Sequence, residues 1–139
     1  YCALVDAELA VSVGGSLIST LDPYLYGVSI TIHPKRKAEE ALEALDREVL
    51  RIREEMVSVE EIARAVKQAR ANFAYGSESI TNQGFWLGHA EMFARYDWFE
   101  TYLDRLKQVT PKQVQEAAQK YLRPQNRVVG TYLPTGGAQ

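Results

Sequence analysis

Apolar residues alternate with small or polar ones near the start of the chain, and the spacing then becomes helical for most of its length. Leu9, Val11 and Val13 alternate with Ala10 and Ser12, and Gly14-Gly15 interrupts the pattern before Leu17 and Ile18. This predicts a strand that is bulged or closely approached at the glycines. Leu21-Asp22-Pro23 predicts a turn. Tyr24, Tyr26, Val28, Ile30 and Ile32 then fall on one face of a second strand, with Leu25, Gly27, Ser29, Thr31 and His33 on the other. Two strands joined by so short a loop predict an antiparallel pair.

From Pro34 the period changes. Ala38, Ala41, Leu42, Leu45, Val49, Ile52 and Met56 form one helical stripe, and Lys35, Glu39, Glu43, Arg47 and Arg51 take the solvent side. Ser58 with Glu61 is a capping box that opens a helix carrying Ile62, Val66, Ala69 and Phe73. Helical spacing continues through Ile80, Leu87 and Ala90, and again through Trp98, Tyr102 and Leu106. Thr110, Pro111 and Gln113 punctuate the start of the next helix: a cap, a proline at the first helical position, and the partner of a second capping box. Its apolar positions are Val114, Ala117, Ala118, Tyr121 and Leu122, and Pro124 stops it. Residues Arg127 to Leu133 predict a last strand, and 134–139 a linker or tail.

Strand, strand, four or five helices, strand is an α+β order. It predicts a two-layer domain: a small antiparallel sheet of about three strands packed against the helices, which must cover the apolar face of the second strand. The 139 residues fit a single domain, long enough to bury roughly 68% of its unfolded surface. Because the chain opens on Tyr1 and moves at once into Ala3-Leu4-Val5, the expectation is a piece of a longer protein, a partial domain over 1–139.

Composition mainly excludes. Sixteen basic residues are offset by 18 acidic ones, so no nucleic-acid footprint is expected. No apolar run approaches the roughly 18 residues of a membrane span. The single Cys2 rules out an internal disulfide and a thiolate zinc cage. The two histidines, His33 and His89, are far apart in the sequence. His89-Ala90-Glu91 on a helix points its two polar side chains about 200° apart, so it reads as structural. Glu39-Glu40, Glu54-Glu55 and Glu60-Glu61 read as solvated helix faces and first turns. Phe85, Trp86, Phe93, Tyr96, Trp98, Phe99 and Tyr102 read as core rather than a ligand platform. Ser-His-Asp and Cys-His catalysis find no support, and neither a Gly-x-Ser-x-Gly elbow nor a phosphate-binding loop occurs in the sequence.

The exact wording of several segments adds a resemblance. Val109-Thr110-Pro111-Lys112-Gln113-Val114-Gln115-Glu116-Ala117-Ala118-Gln119-Lys120-Tyr121-Leu122 is similar to the closing phrase of domains in the zinc peptidase family of pitrilysin, insulin-degrading enzyme and the mitochondrial processing peptidase. Gln113 replaces that phrase's usual acid, and the capping box survives the exchange. Ala3 to Val13, Leu21 to Val28 and Val57 to Ala65 resemble further passages of the same family in the same order. The resemblance covers nearly the whole chain and implies the second half of one domain.

The family's zinc motif, His-x-x-Glu-His, lies in the first half of its first domain and is absent here. The resemblance therefore implies no catalytic and no metal-binding residue in this chain, with zinc expected in the full-length parent. The family's substrate-polarising Arg and Tyr would fall at Leu4 and Val11, so that role does not transfer. The expected function is the non-metal-binding structural portion of a zinc metallopeptidase that hydrolyses peptides in an enclosed chamber. The alternatives are a segment of an inactive homologue serving as a structural subunit, and an unrelated α+β partner-binding module. Ser29, Thr31 and His33 are the candidate chamber-facing residues. Expected partners are the remainder of the parent or a paired subunit, peptide through the parent, and copies of the chain itself by self-association. The expected compartment is cytoplasm or periplasm, cytoplasm first.

Overall fold

The computed structural model describes residues 1–18, 20–22 and 24–133. Pro23 of the predicted turn and the predicted tail 134–139 lie outside the described residues. A π-helical turn, Cys2–Asp6, leads into β1 (Ala10–Leu17) and β2 (Tyr26–Ile32). Five α-helices follow: α1 (Ala38–Glu54), α2 (Val59–Gly76), α3 (Ile80–Phe93), α4 (Tyr96–Lys107) and α5 (Pro111–Tyr121). The class is α+β, with β1 and β2 antiparallel as the sequence predicts.

The predicted bulge sits elsewhere. The register runs Ala10 to Ile32 and then Ser12 to Thr31, so Val11 is the extra residue, while Gly14 and Gly15 pair regularly with Ser29 and Val28. One inserted residue reverses the alternation on either side of it. Ala10 and Val13 therefore share the core face, and Val11, expected beside Val13, is 56% exposed. The glycines serve close approach: a Cβ on Gly15 would lie 2.6 Å from the Tyr26 hydroxyl oxygen.

Leu4, Ala10, Ala41 and Ala44 form the core, with Leu9, Val13, Ile30 and Ile32 packed against it. Three of those four are alanines, which let α1 approach the hairpin and the π turn closely. The helices cover only the Ile30 and Ile32 end of β2; Tyr26 and Val28, on the same face, remain exposed. Met56 falls beyond the end of α1 and is also exposed.

Two glutamines join α1 to α5. The Nε2 groups of Gln115 and Gln119 donate to the Arg53 carbonyl at 3.3 and 2.9 Å, satisfying one of the carbonyls left open at the C-terminus of α1. Ala118 is buried there, flanked by half-buried Val114 and Leu122. Ala117 and Tyr121, expected on the same stripe, point outward, and Tyr121 lies beneath Lys120 Nζ. The contact surface of α5 is thus a narrow line at i, i+4 and i+8.

Both predicted capping boxes form. The Ser58 hydroxyl accepts from the Glu61 N–H at 3.1 Å and the Glu61 carboxylate accepts from the Ser58 N–H at 2.9 Å. Thr110 and Gln113 make the same exchange at 3.3 and 2.9 Å. Replacing Thr110 with alanine is expected to cost about 1 kcal/mol, seen as a lower urea midpoint with an unchanged slope. An unchanged midpoint would mean that this cap contributes nothing.

No third strand forms among the described residues. Residues 127–133 run outside any ladder, with Val128 96% and Tyr132 89% exposed. A strand needs a partner as well as strand-forming residues. Here the segment starts at an ion pair between Arg127 and Asp46 of α1, away from the hairpin ladder.

Candidate functional site

The hairpin has two unlike faces. Cross-strand partners project to the same side, so Ser12 opposite Thr31, Gly14 opposite Ser29, and Ser16 opposite Gly27 make one face. Every side chain on it is small, polar or absent, and all six positions are exposed. The other face carries Val13, Leu17, Tyr26, Val28 and Ile30.

Ser29 and Thr31 lie together on the polar face, as their alternation predicts. His33 is set apart. It follows the end of β2, its N–H donates to the Leu9 carbonyl at 3.1 Å, and its Nδ1 accepts from the Lys35 N–H at 3.3 Å. Arg36 Nε donates to the carbonyl of Glu8, the one described non-glycine residue at positive φ (54°). His33 thus belongs to the corner that connects β1, β2 and α1. Ser12 and Ser16 join the polar face although sequence reasoning did not select them; Ser12 already alternates with Val13, and the bulge expected at Gly14-Gly15 concealed the parity of Ser16.

Such a face can do limited chemistry. Hydroxyls and exposed backbone on small residues can donate and accept hydrogen bonds to an extended chain laid across them. They include no general base and no activated nucleophile. The hydrogen bond to Asp6 and its negative charge push the exposed Cys2 thiol above its ordinary pKa, which disfavours the reactive thiolate.

The donor set does not fit a zinc ion. His89 is held among rings, stacked on Phe85 at 5.7 Å and edge-on to Phe93 at 5.0 Å. His33 is engaged at its corner. Among the described residues, no three His, Cys, Asp or Glu side chains converge as a metal site would require. Also among the described residues, no helix is long and apolar enough to cross a membrane. The aromatic series continues from Phe93 to Trp98 at 4.9 Å and on to Tyr102 at 5.1 Å, fastening α3 to α4.

A family model described as "Peptidase M16 inactive domain" matches residues 1–69. No curated protein matches the chain. Among solved structures, the inactive peptidase domain of a candidate zinc protease from Bordetella parapertussis is similar over all of this chain and 74% of that one, at 29% identity and a TM-score of 0.84. A candidate zinc protease from Bordetella pertussis Tohama I is similar over 97% of this chain and 74% of that one, at 29% identity and a TM-score of 0.82.

Proposed function

This chain belongs to the M16 peptidase family, in its inactive-domain class, and from that premise we propose that it is the second half of one domain of a peptide-hydrolysing zinc enzyme. In this reading it supplies wall and scaffold to a chamber whose metal and general base are held by another part of the assembly. The carrying observation is the likeness of the whole chain to an inactive peptidase domain of a candidate zinc protease. His33, held at the hairpin corner, and His89, packed in the ring series, agree with a supporting role. So does the exposure of Leu17, Tyr26 and Ile80, since apolar surface of this kind suits packing against further protein.

The polar hairpin face is the proposed chamber wall, with Ser29 and Thr31 in contact with peptide and His33 fixing the corner behind them. Zinc, when bound elsewhere in such an enzyme, activates water and polarises the scissile carbonyl.

The test compares the assembled full-length enzyme with the 139-residue chain. About one zinc per assembly, none in the chain, and chelator-sensitive peptide cleavage by the assembly alone are expected. An assembly lacking both zinc and cleavage would make the chain part of a structural subunit. Within an active assembly, Ser29→Arg with Thr31→Arg is expected to raise KM about tenfold with kcat nearly unchanged, as loss of uniform binding would. Unaltered kinetics would remove this face from the chamber.

A further inference from the structure

On the helical side, a groove of about 790 Å³ runs between α2 and the α4–α5 junction. One wall carries Val59, Ile62 and Val66 of α2, at i, i+3 and i+7, and the other carries Val109 and Pro111. Lys67, Arg70 and Lys107 also line it, and no acidic residue does, although the chain as a whole carries a net charge of −2. Lys107 is paired with Asp104 at 2.8 Å. The hydrogen bond and charge of Lys107, and then the charge of Arg70, lower the Asp104 pKa, so that carboxylate answers two of the three cations; Lys67 has no salt bridge among the described residues, and the balance beside the apolar surface stays positive. Pro111 is the first residue of α5, so the positive end of that helix dipole also borders the groove.

The walls determine what shape of ligand fits. Both are helices or helix ends, with backbone hydrogen bonds made internally or through the Thr110 cap. An extended peptide would bring unpaired N–H groups against walls whose polar side chains, Lys67, Arg70 and Lys107, are donors and offer no acceptor. A helix satisfies its own backbone and presents apolar side chains at the spacing of the α2 stripe. We propose that this groove docks an amphipathic helix of a partner protein, with three or four apolar side chains on one face and carboxylates beside them.

The probe is a fluorescein-labelled synthetic helix of about 16 residues, with leucines at i, i+4, i+7 and i+11 and flanking glutamates; a second version carries lysines in place of the glutamates. Anisotropy titration with the chain should show binding of the acidic helix and at least about tenfold weaker binding of the basic one. Lys67→Glu with Arg70→Glu should reverse that preference while leaving the circular dichroism of the chain unchanged, because both positions are exposed. Equal binding of both probes, or a preference that survives the charge reversal, would overturn the proposal by reducing the groove to general apolar adhesion. A concentration-dependent dimer abolished by Val66→Glu in sedimentation would overturn it too, since a second copy would then occupy the groove.

Discussion

Ala44→Asp will remove a large share of the folding stability of this chain, about 3–5 kcal/mol. Ala44 is 2% exposed and Ala41 1% exposed on the face of α1 that meets Leu4 and Ala10. The surrounding side chains are apolar, so a carboxylate there would find no cation and no donor. At roughly 0.05–0.15 kcal/mol of stability per residue, the 139 residues hold about 7–21 kcal/mol, so one such substitution removes between roughly a seventh and two-thirds of the total. The buried carboxyl would have a folded-state pKa above its unfolded value of about 3.9. Its penalty is therefore full at neutral pH and shrinks as pH falls through the folded-state pKa towards the unfolded one, where both states are protonated. Urea unfolding at pH 7 and near pH 4 should show a large deficit and then a smaller one. Ala63→Asp, on an exposed position of α2, serves as the control; equal effects at the two sites would contradict a core at Ala44.

Helix starts were the most legible feature of the sequence. Ser58 and Thr110 announce themselves because a cap is a local exchange between residues three apart, needing nothing distant. The strands were less so. Val11, Gly14 and Gly15 show why: glycine permits a bulge without requiring one, and the displaced bulge at Val11 depends on pairing with β2. Residues 127–133 have the composition of a strand, but composition does not provide an edge to bind. On α5, Ala117 and Tyr121 satisfy an apolar period, yet only the line through Val114, Ala118 and Leu122 meets α1.

The candidate site was legible to the same depth. Ser29 and Thr31 could be placed together because β2 alternates without interruption. Ser16 could not, since a bulge expected at Gly14-Gly15 leaves the parity beyond it open, whereas Ser12 alternates with Val13 in sequence and structure alike. His33 falls on the same alternation but beyond the last rung of the ladder, where the Lys35 N–H rather than the pleat sets its surroundings. The resemblance to zinc peptidases lay in phrases such as Thr110 to Leu122, which are structural punctuation: a capped helix start, a proline at the first helical position and an apolar line.

Leu4→Ala is the second large effect expected, and it tests how the hairpin is held. A two-stranded hairpin alone is marginally stable in water, so β1 and β2 depend on what packs against their core face. Leu4, 4% exposed, is the one large buried side chain among the described residues, and its π turn touches both β1 and α1. The backbone extends the same connection: the Leu9 N–H donates to the Leu4 carbonyl at 2.9 Å, and the His33 N–H to the Leu9 carbonyl at 3.1 Å. Truncation should cost about 2–4 kcal/mol, from lost transfer energy and the cavity left behind. The loss should be local as well as global. Hydrogen exchange should quicken most in the β1–β2 ladder, whereas α3 and α4, joined through Phe93, Trp98 and Tyr102, should retain their protection. Equal loosening of all elements would show one cooperative unit, and an unaltered ladder would show that something other than Leu4 holds the hairpin in place.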